Sequence, residues 1–278
     1  MAIKCMAFDM DRTTLNAEGK LSQKNKEAFE YAIKKGVHVV IASGRAFSAL
    51  PRDVLGVKGI EYAITSNGAE VYRIADRKCL KRYCISPESV VKIMELTKTM
   101  PVTYEAFIAG EAYAGEEYVS DPVRFGALEQ VVGYVKRTRK PVKNIDTFIL
   151  EHKNELSSID VIVRDEVLKK EIWQLLKEEA EDIYITSSIP QLIEISDRAC
   201  GKHSGLMFIS EYLGIEKEET AAFGDADNDT DMLLYAGCGV AVANASEGCL
   251  KAADMVVPAY DKDGVAEGIY ILLKKEEM

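Results

Sequence analysis

The stretch MAFDMDRTTLN, residues 6–16, sets two aspartates, Asp9 and Asp11, one residue apart at the end of an apolar run. The run itself, AIKCMAF (2–8), reads as a buried strand. A carboxylate near a core loses solvation energy, so the pair must be compensated or used. In a straight strand, residues i and i+2 share a face. A turn at Arg12 would instead set the two carboxylates on either side of one reacting centre.

Outward from this stretch the rhythm repeats. LSQKNKEAFEYAIKKG follows, with Ser22 as N-cap, an apolar stripe of Ala28, Phe29, Ala32 and Ile33, and a stop at Lys34-Lys35-Gly36. VHVVIA (37–42) is a second apolar run that turns at SGRAF into a helix, and EYAITS (61–66) is a third. Strand–helix–strand–helix–strand predicts an α/β fold with a parallel, doubly wound sheet. Asn67-Gly68 marks a tight turn, with AEVYR returning.

From about Ser86 the pattern changes. SPESVVKIMELTKT reads as a helix entered at Ser-Pro, PVTYEAFI and EAYAG as paired strands, and SSIDVIVR as a strand. DEVLKKEIWQLLKEEAED reads as a helix with Val167, Ile172, Trp173, Leu175 and Leu176 facing inward. IYITSS and QLIEIS are strands joined at Pro190. After Ser196 the first rhythm resumes: TAAFGD (220–225), the helix DTDMLLYAG, the strand GVAVA, the helix SEGCLKAA, the strand DMVVP and a closing helix VAEGIYILLKKEE. The expected division is a core of residues 1–85 and 197–278, interrupted by a separate α/β unit over 86–196, a size typical of a small domain. No repeat or low-complexity segment interrupts this pattern.

Bulk properties narrow the function. The chain has 278 residues, 47% hydrophobic and 29% charged, as expected for a globular protein. A net charge of −10 argues against nucleic-acid or anionic-membrane partners, while one local site can still take a small anion. No apolar run approaches the roughly 18–20 residues that span a bilayer, and MAIKCMAFDMD reaches acid too soon for a signal peptide. Cys5, Cys79, Cys84, Cys200, Cys238 and Cys249 form no CxxC pair, so free thiols in a reducing cytoplasm are expected.

The polar residues gather at strand ends. The first strand delivers Asp9, Asp11 and Thr13; the second Ser43, Gly44 and Arg45; the third Asn67 and Gly68; TAAFGD delivers Gly224, Asp225, Asn228 and Asp229. Ligands bind at the carboxyl ends of the strands in open α/β sheets. Lys202, in CGKHSG, can add a cation. Crowded carboxylates need a compensating cation, and oxygen-only ligands favour Mg²⁺ over zinc. No histidine–cysteine cluster competes: His38, His152 and His203 are scattered and read as structural or exposed. Asp9 is thus a candidate nucleophile and Asp11 a candidate general acid/base. Ser43 and Lys202 are placed to hold phosphoryl oxygens, with Mg²⁺ offsetting repulsion between Asp9 and a phosphate dianion. Each motif alone is compatible with an ordinary turn, an Asp-rich loop or a solvated lysine; their joint order is what carries the reading.

This ordered set resembles the haloacid dehalogenase superfamily and, within it, the Cof-type sugar-phosphate phosphatases. Asp9, Asp11 and Thr13 match its DxDxT motif, Ser43-Gly44-Arg45 its T/S-G-R motif, Lys202 its lysine, and Gly224, Asp225, Asn228 and Asp229 its GDxxND motif. GVAVANASEGCLKAADMVVPAYDKDGVAEGI is similar to its C-terminal signature, so the resemblance spans nearly the whole chain. It implies a Rossmann-like core with the insertion as a cap. It also implies an aspartyl-phosphate on Asp9, proton transfer by Asp11, and Mg²⁺ held by Asp9, the Asp11 carbonyl and Asp225 with Asp229 nearby. Ser43, Gly44, Met10, Lys202 and Asn228 would contact phosphate, with Arg45 and Asn67 as further site residues and Thr13 supporting the loop. The chain departs from the common DxDGTLL: Arg12 stands for glycine and Thr14 for leucine, and Ala243 stands where glycine is common.

The expected activity is hydrolysis of a small phosphorylated metabolite, by a monomer or homodimer. The alternative is a regulatory or phosphate-ligand-binding protein of the same family with weak phosphatase or phosphotransfer activity. A single-domain receiver module would lack the insertion, and a dehalogenase would need neither Asp11 nor the Asp225–Asp229 cluster. Substrate choice is expected in the insertion, where Tyr104, Glu105, Tyr113 and Tyr118 are candidates to reach a sugar or ring. KRTRKPVK (136–143) is read as a solvated loop or a second anion contact.

Overall fold

The computed structural model describes residues 2–274. It separates into two compact units. The first comprises residues up to Arg45, Leu50–Lys81 and the chain from Gly201; the second comprises Ala46–Ala49 and Arg82–Cys200. The insertion therefore opens a few residues before Ser86 and closes after Ser196. The short segment Ala46–Ala49 belongs with it because Ser48 N donates to Gly110 O at 2.9 Å and Ala46 packs with Phe107 and Ala112.

In the first unit the strands are β1 (Cys5–Phe8), β2 (His38–Ala42), β3 (Tyr62–Thr65), β4 (Glu70–Arg73) and β5 (Lys78–Arg82). After the insertion, with its own β6 to β11, come β12 (Thr220–Gly224), β13 (Cys238–Val242) and β14 (Met255–Val257). They form one eight-stranded sheet in the order β14-β13-β12-β1-β2-β3-β4-β5. From β14 to β3 every pairing is parallel; β4 turns back antiparallel on β3. The central strands β1, β3 and β12 are buried along their whole length, as parallel strands covered on both faces must be. Phe8 packs between Phe29 and Phe223, with ring centroids 4.7 and 4.6 Å away.

The helix Gln23–Lys34 starts where Ser22 accepts from Asn25 N. It buries Ala28, Phe29 and Ala32, while Ile33 is half-buried. Beyond Gly201, the helix Lys202–Leu213 carries Lys202 in its first turn. The closing helix is described to Lys274; the remainder of the expected KKEE end lies outside the described residues.

The inserted unit has a second sheet, built from β6 (Thr103–Ile108), β7 (Glu111–Gly115), β8 (Arg139–Val142), β9 (Ser158–Ile162), β10 (Ile183–Thr186) and β11 (Leu192–Asp197). Its order is β10-β11-β9-β6-β7-β8. One face packs with the helices Pro87–Thr97, Ile145–Glu151 and Glu166–Glu179 around Ile93, Ile149, Ile172 and Leu176. The other face carries a row of acids in register, Glu105 opposite Asp160 and Asp160 opposite Glu194, all buried.

Three expectations are corrected here. Val167 does not face inward: it sits at the solvent-side first turn of its helix, 77% exposed. KRTRKPVK is no solvated loop. It ends the helix Glu129–Thr138 and forms edge strand β8, and the Arg139 guanidinium is buried, bonded to Glu105 at 2.5 Å. Tyr104 and Tyr118 are core residues, with the Tyr104 hydroxyl 2.7 Å from Thr97 Oγ1. Tyr113 packs against Phe148.

Candidate active site

Four strand ends of the first unit meet. Asp9 leaves β1 with its N–H on Phe223 O of the neighbouring strand, 2.9 Å. The next residues, Met10–Thr14, wind into a tight turn broken at Asp11 (φ −74°, ψ 122°) and Arg12 (φ 61°, ψ 9°). Thr14 Oγ1 donates to Asp9 O at 2.6 Å, and Thr13 Oγ1 reaches across 212 residues to Asp225 Oδ1 at 2.9 Å. The turn at Arg12 thus separates the carboxylates: Asp9 is buried and Asp11 is exposed.

Lys202 sits among the acids. It is 1% exposed, and its Nζ donates to Asp9 Oδ1 and to Asp229 Oδ1, each at 2.6 Å. Burial alone would discharge it, but Asp229 and Asp9 outweigh burial and hold its pKa above the ordinary lysine value. The second oxygen of Asp229 accepts from Asp225 N and Ala226 N at 3.0 and 3.1 Å. Both oxygens of Asp229 are therefore engaged, and its work is to hold Lys202 and the Asp225 loop. Gly224 has to lack a side chain, since a Cβ there would lie 2.4 Å from Asp229 Cβ.

Ser43 follows β2, is buried, and accepts from Arg45 N through its Oγ at 3.2 Å. Gly44 lies between the two residues so joined. Arg45 clamps Asp11 with two bonds, Nε to Oδ2 at 2.8 Å and Nη2 to Oδ1 at 2.6 Å. Asn67 N donates to Ser43 O at 3.2 Å, and Asn67 Oδ1 accepts from Asn228 Nδ2 at 2.9 Å. Gly201 N donates to Asn67 O at 3.0 Å, which seats the start of the Lys202 helix on this turn. Gly68 permits that approach: its φ is +93°, and a Cβ would lie 2.0 Å from Gly201 O. Met10 is fully buried, and its O accepts from Leu15 N at 2.8 Å.

The residues expected at the site thus fall into two hydrogen-bonded sets, Asp9, Lys202, Asp225 and Asp229 in one and Asp11, Arg45, Ser43, Asn67 and Asn228 in the other, which adjoin in the chain at Gly201-Lys202 and Asn228-Asp229; Met10 and Gly44 belong through the chain. The sequence did not single out Ser66, whose buried Oγ has no partner, or Asn244, whose Nδ2 donates to Arg12 O at 3.0 Å. Their only signals are position: Ser66 adjoins Asn67-Gly68, and Asn244 follows β13.

Does the donor set fit a cation? Asp9, Asp225 and Asp229 each offer an oxygen within 4.8 Å of the others. Asp9 Oδ2 is buried and unpartnered. Burial and then Asp229 push Asp225 up to about 7, against the opposing pull of Thr13 and Lys202. Burial and Asp229 likewise raise Asp9. Three buried carboxylates facing one lysine are two positive charges short. All the donors are oxygens, so a hard divalent ion such as Mg²⁺ fits, with Asp9 and Asp225 as the carboxylates that still have capacity.

The first unit is thus a parallel α/β sheet with a buried carboxylate cluster at the carboxyl ends of its central strands. The chain belongs to the haloacid dehalogenase-like hydrolase family, whose sequence profile matches residues 6–269. It is similar to phosphatase YwpJ of Bacillus subtilis, 29% identical over 98% of this chain and 100% of that one. It is also similar to 5-amino-6-(5-phospho-D-ribitylamino)uracil phosphatase YcsE of the same organism, 27% identical over 96% of this chain and 94% of that one. The solved structure of a haloacid dehalogenase-like hydrolase from B. subtilis superposes with a TM-score of 0.84 at 26% identity, over 96% of this chain and 99% of that one.

Proposed function

We propose that the protein is a Mg²⁺-dependent phosphatase that hydrolyses small phosphomonoesters through an aspartyl-phosphate on Asp9. The observation that carries this reading is the buried trio Asp9, Asp225 and Asp229 around Lys202, with Asp9 Oδ2 left unpartnered. The phosphatase names of the similar proteins support the same class of reaction.

In the first half-reaction an Asp9 oxygen bonds to phosphorus, the bond to the leaving oxygen breaks, and Asp11 gives that oxygen a proton. In the second, water attacks phosphorus, Asp11 takes the proton, and the Asp9–phosphorus bond breaks. Lys202 orients Asp9 through its 2.6 Å bond and offsets its charge. Ser43 and the Asn67–Asn228 pair would border the phosphate position, and the buried, unpartnered Ser66 Oγ beside Asn67 is a further donor for it. Asp11 is held by Arg45 until it is needed as an acid, so Arg45 has to yield as substrate arrives. Mg²⁺, held by Asp9 and Asp225, would supply charge neutralisation for the transferring phosphoryl group.

Among the described residues no helix is long and apolar enough to cross a membrane. All six cysteines are free thiols, which suits a reducing compartment, and we place the protein in the cytoplasm.

The test is phosphate release from sugar phosphates, nucleotides and cofactor phosphates, with and without Mg²⁺, using Asp9→Asn as control. Mg²⁺-dependent release that vanishes in Asp9→Asn is expected. Substantial release by the variant sinks the nucleophile, and no release by the wild type sinks the activity.

A further inference from the structure

Arg12 occupies a conformation it does not favour. Its φ of 61° lies in the left-handed region, which costs a non-glycine residue about 1 kcal/mol or more. Glycine would incur no such cost. The strain is maintained from outside, because Asn244 Nδ2 grips Arg12 O at 3.0 Å while Asn244 Oδ1 accepts from Tyr260 N at 3.0 Å. A strained backbone held by its surroundings at a reaction site is a reason to ask what the side chain does.

The other two cations of the site are committed. Lys202 is buried between Asp9 and Asp229, and Arg45 grips Asp11 with two bonds. The Arg12 side chain is exposed, and among the described residues none hydrogen-bonds or ion-pairs with it. It is nonetheless in the electrostatic reach of the site, since its charge acts on Asp225. It stands one residue from Asp11 and three from Asp9. A guanidinium so placed is suited to a planar or tetrahedral anion, which it can bind through two parallel bonds.

We propose that Arg12 is a specificity residue, and that the substrate is a phosphomonoester carrying a second anionic group, a carboxylate or another phosphate, a few bonds from the phosphoryl group. This rests on the phosphatase reading above. The phosphoryl group to be transferred would sit at Asp9, and the second anion would meet Arg12 at the exposed side of the same turn. Arg12 is the one basic residue of the turn Met10–Thr14, so on that turn it alone attracts an anion.

The experiment compares matched substrates in wild type, Arg12→Gly and Arg12→Lys with Mg²⁺. The pairs are 6-phosphogluconate against glucose 6-phosphate, 3-phosphoglycerate against glycerol 3-phosphate, and fructose 1,6-bisphosphate against fructose 6-phosphate. The first two pairs test a carboxylate and the third a phosphate. Wild type is expected to favour the doubly anionic member of at least one pair. Arg12→Gly should lower that preference about tenfold, mainly through KM, with Arg12→Lys between. The variant loses strain, so it is expected to fold. Equal preference in wild type and Arg12→Gly overturns the proposal.

A binding arm separates this proposal from the phosphatase reading. Calorimetric titration of the same pairs into Asp9→Asn, with and without Arg12→Gly, reads the preference without turnover. A preference that Arg12→Gly removes supports the role of Arg12 even if wild type releases no phosphate, in which case only the phosphatase reading falls. The same affinity for both members of every pair overturns the role of Arg12 whatever the turnover.

Discussion

Lys202→Met tests the charge balance at the centre of the site. The substitution keeps most of the side chain's apolar stem and removes its charge from between Asp9 and Asp229, each 2.6 Å from Nζ. At that distance and an effective dielectric of about 20, each contact is worth about 6 kcal/mol before desolvation. Burying the ammonium cancels much of this, and removing one partner of a buried pair typically costs about 3–5 kcal/mol. That is a large part of the roughly 5–15 kcal/mol available to a folded protein. The variant should therefore unfold at markedly lower urea concentration in metal-free buffer, followed by circular dichroism. Mg²⁺ should restore more stability to the variant than to wild type, because it then supplies the only positive charge; at 100 times its dissociation constant it contributes about 2.7 kcal/mol. Turnover should fall by about 10²–10³, since loss of one preorganised charge at a transition state has that scale. A metal-free loss below about 1 kcal/mol, or the same response to Mg²⁺ in both proteins, would refute this account of the trio.

Other perturbations test separate parts. Asp225→Ala should raise the Mg²⁺ concentration needed for half-maximal activity at least tenfold; an unchanged requirement removes Asp225 from the metal site. Gly68→Ala should cost about 1–3 kcal/mol and lower kcat, because the added Cβ meets Gly201 O and shifts the start of the Lys202 helix; full activity at wild-type stability would contradict the contact. In the inserted unit, burial, Glu194 and Glu105 raise the pKa of Asp160 well above its ordinary value, against Arg139 and Ser158. A raised carboxyl binds its proton more tightly folded than unfolded. Its contribution is thus complete below about pH 4 and is lost as pH rises through the folded value. Trp173, the single tryptophan, packs against the core of that unit and reports its unfolding by fluorescence. Wild type should lose stability with rising pH, and Asp160→Asn should flatten the slope; identical slopes would remove Asp160 as the cause.

Much of the fold was legible from local pattern. The buried runs that became β1, β2, β3, β12 and β13 are continuous and apolar, because parallel strands covered on both faces need apolar residues at every position. Ser22, Ser86 and Ser246 cap their helices through their own side chains, an interaction confined to neighbouring residues. Where the reading went astray, the environment was not local. Val167 is the exception: Leu168, four residues before Ile172, holds the helical stripe and packs on the core, so Val167 beside it faces solvent. Arg139 sits within a basic run that looks solvated, yet Glu105, 34 residues away, draws it into the interior.

The candidate site divides in the same way. Residue types and their order along the chain, acids after β1 and β12, a hydroxyl after β2, an amide after β3, were sufficient to gather the candidate residues, because strand ends of one parallel sheet share an edge. Which atoms meet was decided only by the tertiary structure. Thr13 bonds to Asp225, Asn67 to Asn228 and Lys202 to Asp9 across 212, 161 and 193 residues. Asp11 turned out to be held by Arg45, and Asp229 to have both oxygens engaged. Charge pairing of this kind depends on distances of a few ångströms between segments remote in sequence, and only closure of the sheet brings them within that range.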